Sequence, residues 1–204
     1  MIPRTDAPAA KGRLRAAWRA AHAPVAGVPR WALIAAYAIP FTVLPSALWR
    51  IADVVLHVPL GEGSQGRGDL PSWLPIEVYV ILLSVASELL AFAAVGLVAT
   101  WGEVVPRWVP VARGRRVPVA AAVLPALLGA VALTAMWTSA AVAMSAGETI
   151  QGDPLPAGVP FVAHDWRAAV FAVAYAPLLL WGPLLGAVAI AYWRRRAGAV
   201  AAPA

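Results

Sequence analysis

Residues 76–100 read IEVYVILLSVASELLAFAAVGLVAT, an almost unbroken apolar run of the length that a membrane-spanning helix needs. Glu88 lies in the middle of this run, about twelve residues from either end. An ionisable side chain at the depth of the bilayer centre costs roughly 3 kcal/mol or more unless it is neutralised, paired or hydrated. The position of Glu88 therefore predicts a functional site inside a helical bundle, with Glu88 as the candidate catalytic residue.

The composition of the whole chain indicates a polytopic membrane protein. Of its 204 residues, 61% are hydrophobic and only 13% are charged, and the mean hydropathy is +0.74. Apolar stretches long enough to cross a bilayer cover residues 31–56, 75–100, 117–145 and 166–193. We predict an all-α fold, a four-helix transmembrane bundle over residues 31–193. Residues 1–30 form a basic tail, either a short interfacial helix or a disordered segment, and residues 194–204 form a second tail.

The distribution of basic residues predicts topology and argues against nucleic-acid binding. Thirteen of the 16 basic residues precede the first span, lie in the middle loop or follow the last span; the exceptions are Arg50, Arg67 and Arg167. By the positive-inside rule, both termini and the middle loop are cytoplasmic. The Ala-, Val-, Pro- and Arg-rich composition is typical of high-GC bacteria, so we expect a multi-pass protein of the plasma membrane.

Two loops carry the same sequence pattern. Residues 61–66 read GEGSQG and are followed by Asp69 and Leu-Pro, while residues 147–152 read GETIQG and are followed by Asp153 and Leu-Pro. The match predicts two repeated helical hairpins related by a pseudo-two-fold axis along the membrane normal. A chance match of two glycine- and proline-rich loops is the alternative.

The outer halves of all four predicted helices are polar, and the inner halves are apolar. Steps of three and four residues place Glu77, Ser84, Glu88 and Phe92 on one face of the second helix. We therefore expect an outward-open polar pocket that ends at Glu88, with an inner half closed by small residues such as Gly182 and Gly186. The other helices contribute Thr42, Ser46, Asp53, Thr134, Trp137, Thr138 and Tyr175 to the predicted pocket.

The middle loop contains residues 101–108, WGEVVPRW, and residues 113–116, RGRR. This segment resembles the middle loop of small four-helix integral membrane proteins of high-GC bacteria that have no assigned function. The resemblance implies a topology and no activity. Independently of it, Arg113, Arg115 and Arg116 are expected to bind anionic lipid headgroups.

Several functions are compatible with these features. The first is an accessory, assembly or lipid-binding protein. The second is a membrane-embedded enzyme in which neutral Glu88 protonates a lipid-soluble substrate such as an isoprenoid, and the third is a small transporter that works as a dimer. Alternatively, Glu88 is a structural hydrogen-bond partner of Ser84, Thr134 or Tyr175. We expect membrane lipids as partners, with a membrane protein or a second copy as open alternatives, and no cofactor or metal, because no compact ligand spacing is present.

Overall fold

The computed structural model describes residues 12, 23–61, 71–104, 114–155, 159–162 and 165–201. They form helices α1 (Arg30–Arg50), α2 (Ile76–Ala93), α3 (Val119–Ser145), α4 (Trp166–Tyr175) and α5 (Leu178–Ala201). A π-helical turn (Ile51–Val55) extends α1, and a 3₁₀ turn (Ala94–Leu97) extends α2. Four helical segments are long and apolar enough to span a membrane, which confirms the predicted all-α architecture. Most of the first repeat loop, residues 62–70, lies outside the described residues, as do most of the N-terminal tail and Arg113.

Prolines mark several helix boundaries. Pro29, Pro75 and Pro118 precede α1, α2 and α3 in an extended conformation, where their missing N–H groups leave no helical carbonyl unpaired. Pro177 separates α4 from α5 and so interrupts the fourth span. The chain turns here through hydrogen bonds from Leu179 N–H to the Ala176 carbonyl and from Leu180 N–H to the Pro177 carbonyl. As a result α4 ends at Tyr175, inside the span.

Helix α1 is the central element of the bundle. It contacts α2 on one side and both α4 and α5 on the other, and α5 in turn packs on α3. The fully buried residues Ala36, Ile39, Val43 and Ser46 recur along α1 at three- and four-residue spacing. Helices α2 and α3 therefore lie at the two ends of a packing series, α2–α1–α5–α3.

Helices α3 and α5 cross closely at Gly182. A Cβ atom added to Gly182 would lie 2.6 Å from the backbone nitrogen of Thr134 and 2.7 Å from the carbonyl oxygen of Ala130. One turn further, a Cβ at Gly186 would meet the Cβ of Ala130 at an ordinary 3.5 Å. The GxxxG pair of the sequence thus lies where the two backbones come together, as close helix packing in membranes requires.

One end of the bundle is closed by charged and backbone hydrogen bonds. Glu103 contacts Arg195 at 2.6 Å and Arg196 at 3.4 Å, and Arg196 also donates to the Val117 carbonyl at 3.1 Å. Next to them, Val25 N–H donates to the Val98 carbonyl at 3.1 Å. We call this end, which also carries Arg30 and Arg116, the basic end. These contacts join the start of α1, both sides of the α2–α3 connection and the end of α5.

Candidate functional site

Glu88 lies on the side of α2 that faces α1. The buried residues of α2 are Val80, Ser84 and Ala91, which are 5%, 2% and 0% exposed, and Glu88 is one turn from Ser84 on the same face. The Glu88 side chain is half-buried, and its Oε1 atom is buried without a hydrogen-bond partner in the described part of the chain. The cation of Arg50, the last residue of α1, lies close enough to attract the Glu88 carboxylate.

Tyr175 connects the charged groups of α1 to α4. Its hydroxyl interacts with the guanidinium of Arg50 and lies within the field of Asp53. Asp53 is buried in the π-helical turn that follows Arg50, and its Oδ1 accepts a hydrogen bond from the Gly61 N–H at 2.9 Å. Because α4 ends at Tyr175, the break in the fourth span brings this side chain to the level of Arg50.

Aromatic rings surround Tyr175. The rings of Trp49 and Trp137 approach it edge-on, with centroids 5.5 Å and 6.4 Å away, and the ring of Phe171 stacks on it at 4.3 Å. Trp49 comes from α1 and Trp137 from α3. Side chains of α1, α3 and α4 therefore meet at Tyr175. The adjacent Arg50 attracts Glu88, which lies on the fourth span, α2.

Five buried polar atoms around this point have no hydrogen-bond partner among the described residues. A buried polar group left unpaired costs about 1–3 kcal/mol, so each such atom in a folded protein calls for water or a ligand. Most of them are donors, and Glu88 supplies an acceptor when it is ionised. The atoms are Trp49 Nε1, Arg50 Nε, Ser84 Oγ, Glu88 Oε1 and Trp137 Nε1. We refer to these five residues and Tyr175 as the Glu88 cluster.

Three of the predicted pocket hydroxyls bond to their own helices instead. Thr42 donates to the Ile39 carbonyl at 2.7 Å, Ser46 to the Val43 carbonyl at 2.8 Å, and Thr134 to the Ala130 carbonyl at 2.7 Å. Such bonds are the usual way to satisfy a Ser or Thr hydroxyl within a helix. These three side chains are therefore already used as donors, in contrast to Ser84.

The remaining predicted pocket residues lie apart from the cluster. Phe92 is 40% exposed and stacks on Trp101, with ring centroids 6.3 Å apart. Thr138 is exposed and borders a shallow apolar cavity of about 550 Å³ between α3 and α5, together with Thr134. Glu77 is half-buried in the first turn of α2. At the basic end Arg115 and Arg116 are exposed. The structure thus brings Asp53, Ser84, Glu88, Trp137 and Tyr175 together, while the other candidates are distributed around the bundle.

A second cavity of about 440 Å³ lies between α2 and α3, towards the basic end. We call it the α2–α3 groove. Trp181 and Leu185 of α5 form its back wall, and Gly96 and Gly129 contribute no side chains. The sequence led us to expect a closed inner half, but the apolar residues there line a groove because α2 and α3 are the two ends of the packing series. Glu88 lines neither this groove nor the cavity between α3 and α5.

Two members of the Glu88 cluster, Trp49 and Arg50, are not among the predicted pocket residues. Trp49 has the position of an interfacial aromatic residue, and Arg50 follows it directly. The sequence did contain a signal for Arg50, because it is one of the three basic residues that depart from the positive-inside pattern. Within the described ranges, no group of three or more His, Asp or Glu side chains is suited to hold a metal ion.

Comparison of the chain with protein-family models, with curated proteins and with solved structures found no match. The resemblance of the middle loop to small four-helix membrane proteins stays a prediction, and residues 105–113 of that loop lie outside the described residues.

Proposed function

We propose that this chain is a lipid-binding accessory protein of the membrane, in which the Glu88 cluster receives the polar group of a hydrophobic ligand. The observation that carries the proposal is a set of five unpartnered buried polar atoms from three spans. Those of Trp49, Arg50 and Trp137 belong to side chains that contact Tyr175, and those of Ser84 and Glu88 lie one turn apart on α2, where Arg50 attracts Glu88. Three of these atoms are N–H donors, on Trp49, Arg50 and Trp137. The fitting ligand group therefore presents oxygen acceptors to these three donors, such as a carbonyl or ester, and a hydroxyl group that donates to the ionised Glu88 carboxylate.

The distribution of basic residues and the repeated loop pattern add an orientation and an origin to this proposal. The basic end faces the cytoplasm, because thirteen of the 16 basic residues flank the spans on that side, and the Ala-, Val-, Pro- and Arg-rich composition supports a bacterial plasma membrane. The two hairpins derive from one repeat, supported by the shared Gly-Glu-x-x-Gln-Gly pattern. Only the first hairpin carries a carboxylate at the depth of Glu88, so the repeat would have acquired its polar site in one half.

The Glu88 contribution is tested with the nearly isosteric variant Glu88→Gln. A ligand at one hundred times its Kd stabilises a protein by about 2.7 kcal/mol. We expect a lipid extract of the source membranes to stabilise the wild type in detergent, and Glu88→Gln to lose about tenfold in affinity and so about 1.4 kcal/mol of this gain. Without extract the two proteins should unfold at similar temperatures.

The matched control for this measurement is Glu77→Gln, the same substitution on the same helix but outside the cluster. It should retain the full stabilisation by the extract. The role of Glu88 would be only that of a structural hydrogen-bonding residue if the extract stabilised Glu88→Gln as much as the wild type and if Glu88→Leu were more stable than both.

Acid catalysis by Glu88 is a second candidate function, favoured by the aromatic rings of Trp49, Trp137 and Tyr175, which lie around the hydroxyl that contacts Arg50, the cation that attracts Glu88. A neutral Glu88 would transfer its proton to an alkene carbon of an isoprenoid, which leaves a carboxylate and a carbocation. The π faces of aromatic rings attract such a cation. Release of a converted lipid, rather than retention of an unchanged one, distinguishes this function from binding.

A further inference from the structure

The α2–α3 groove is open towards the surrounding bilayer and is confined to the half of the membrane at the basic end. Its walls run from Leu90 and Leu133, at mid-depth, to Leu97, Trp101 and Gly102 at the basic end. A volume of about 440 Å³ lies within the range of small-molecule and cofactor sites, roughly 300–1,000 Å³. The depth and the apolar lining fit a hydrocarbon chain of a lipid from that leaflet.

Unused hydrogen-bond donors lie at the basic end of the groove and next to it. Trp101, which lines the groove, has a buried Nε1 without a partner in the described part of the chain, and so have Nη1 of Arg195 and the hydroxyl of Tyr192. Tyr192 is 2% exposed, and the Arg195 guanidinium lies 5.5 Å from the centre of its ring. Nη2 of Arg195 approaches the carbonyl of Leu97, another groove residue, at 3.5 Å.

The charges at this end of the groove favour an anion. Glu103 is shared by Arg195 and Arg196, so the two cations are only half compensated by the one carboxylate. The exposed Arg116 and Arg194 add positive charge at the same end. Arginine is well suited to phosphate oxygens, because its guanidinium offers several N–H donors in one plane.

We propose that the α2–α3 groove binds an anionic phospholipid of the leaflet at the basic end, with an acyl chain along Trp181 and Leu185 and the phosphate at Arg195 and Trp101. This site is separate from the Glu88 cluster and does not depend on the ligand proposed there. A basic side chain near an anionic lipid contributes about fivefold in affinity. We therefore expect phosphatidylglycerol to bind at least about fivefold more tightly than phosphatidylcholine with the same chains.

The test uses the full chain in nanodiscs of phosphatidylcholine, with brominated phosphatidylglycerol or brominated phosphatidylcholine titrated in. Bromine on the acyl chain quenches tryptophan fluorescence on contact, and Trp101 and Trp181 line the groove. Stronger quenching by the anionic lipid is the expected result. The difference in quenching between the two lipids should decrease when Trp101 and Trp181 are replaced by Phe. The variant Trp31→Phe, at an exposed position, should leave this difference unchanged.

Two further variants separate the site of the acyl chain from the site of the phosphate. A Cβ at Gly129 meets only Leu185, at an ordinary 3.8 Å, so Gly129→Leu places a side chain in the groove and should weaken the binding of both lipids several-fold, unlike the exposed control Ala121→Leu. The double variant Glu103→Gln/Arg195→Gln removes the Arg195 guanidinium while the net charge of the basic end stays the same, because Arg196 loses its carboxylate partner, and it should lower the preference for the anionic lipid about fivefold.

Several results would overturn the proposal. The first is quenching in Gly129→Leu that equals that of the wild type, and the second is an unchanged lipid preference in Glu103→Gln/Arg195→Gln. The third is a loss of preference in Arg194→Gln, which removes an exposed charge next to Arg195, as large as the loss in the double variant. The last result would indicate attraction by diffuse surface charge. If the double variant does not fold, Gly129→Leu and Arg194→Gln still decide, since both leave Arg195 and Glu103 intact.

Discussion

Replacing Gly182 by leucine should destabilise the protein more than any other single substitution at the α3–α5 crossing. The new Cβ would lie 2.6 Å from Thr134 N and 2.7 Å from the Ala130 carbonyl oxygen, and both atoms belong to the backbone. Since no rotamer change relieves such contacts, the helices must move apart. Overpacking of this kind costs about 1–3 kcal/mol and sometimes more, and we expect the upper end of that range.

The measurement is the free energy of unfolding in mixed micelles as the SDS fraction is increased. Gly186→Ala is the matched control, because its Cβ would meet the Ala130 Cβ at 3.5 Å, an ordinary contact. It should change the stability by less than about 0.5 kcal/mol. Equal stability of Gly182→Leu and Gly186→Ala would mean that α3 and α5 do not cross at Gly182.

Arg50→Leu is expected to have the second large effect, because it removes the cation that attracts the half-buried Glu88 carboxylate. Removing one partner of a fully buried ion pair costs about 3–5 kcal/mol. Glu88 is only half-buried, so we expect about 2 kcal/mol. Tyr175 would also lose its contact with the guanidinium.

The double variant Arg50→Leu/Glu88→Leu distinguishes this electrostatic effect from lost packing. It leaves no uncompensated charge, so it should recover at least about 1 kcal/mol relative to Arg50→Leu alone. A double-mutant cycle on the same unfolding assay gives the coupling energy. Strictly additive losses would show that Arg50 and Glu88 do not interact across α1 and α2.

The fold was largely predictable from the sequence because apolar length is a sufficient signal for a membrane span. The runs around Glu88 and Gly182 correspond to helices, and the boundaries at Pro29, Pro75 and Pro118 follow from proline chemistry. The packing order of the helices was not predictable. All four spans are apolar on most faces, so periodicity does not tell which helix faces which.

The candidate site was predictable only in part, for a related reason. The cost of burying a charge singles out Glu88 from the sequence alone. Whether a hydroxyl contributes to a pocket depends on its own helix, since Thr42, Ser46 and Thr134 donate to carbonyls three or four residues back whereas Ser84 does not. Arg50 joins Glu88 only because α1 packs on α2, which is a tertiary feature.

The most direct test of a ligand site at Glu88 is mass spectrometry of the hydrophobic molecules that copurify with the protein. Wild type is compared with the double variant Glu88→Gln/Trp137→Phe, which replaces the carboxylate by a neutral amide of nearly the same shape and removes one N–H donor while it keeps an aromatic ring. We expect one molecule with an oxygen-bearing polar group to be retained near one per chain by the wild type, and at least about tenfold less by the variant, a loss of about 1.4 kcal/mol. Equal retention of every molecule by both proteins would contradict a ligand site at the Glu88 cluster.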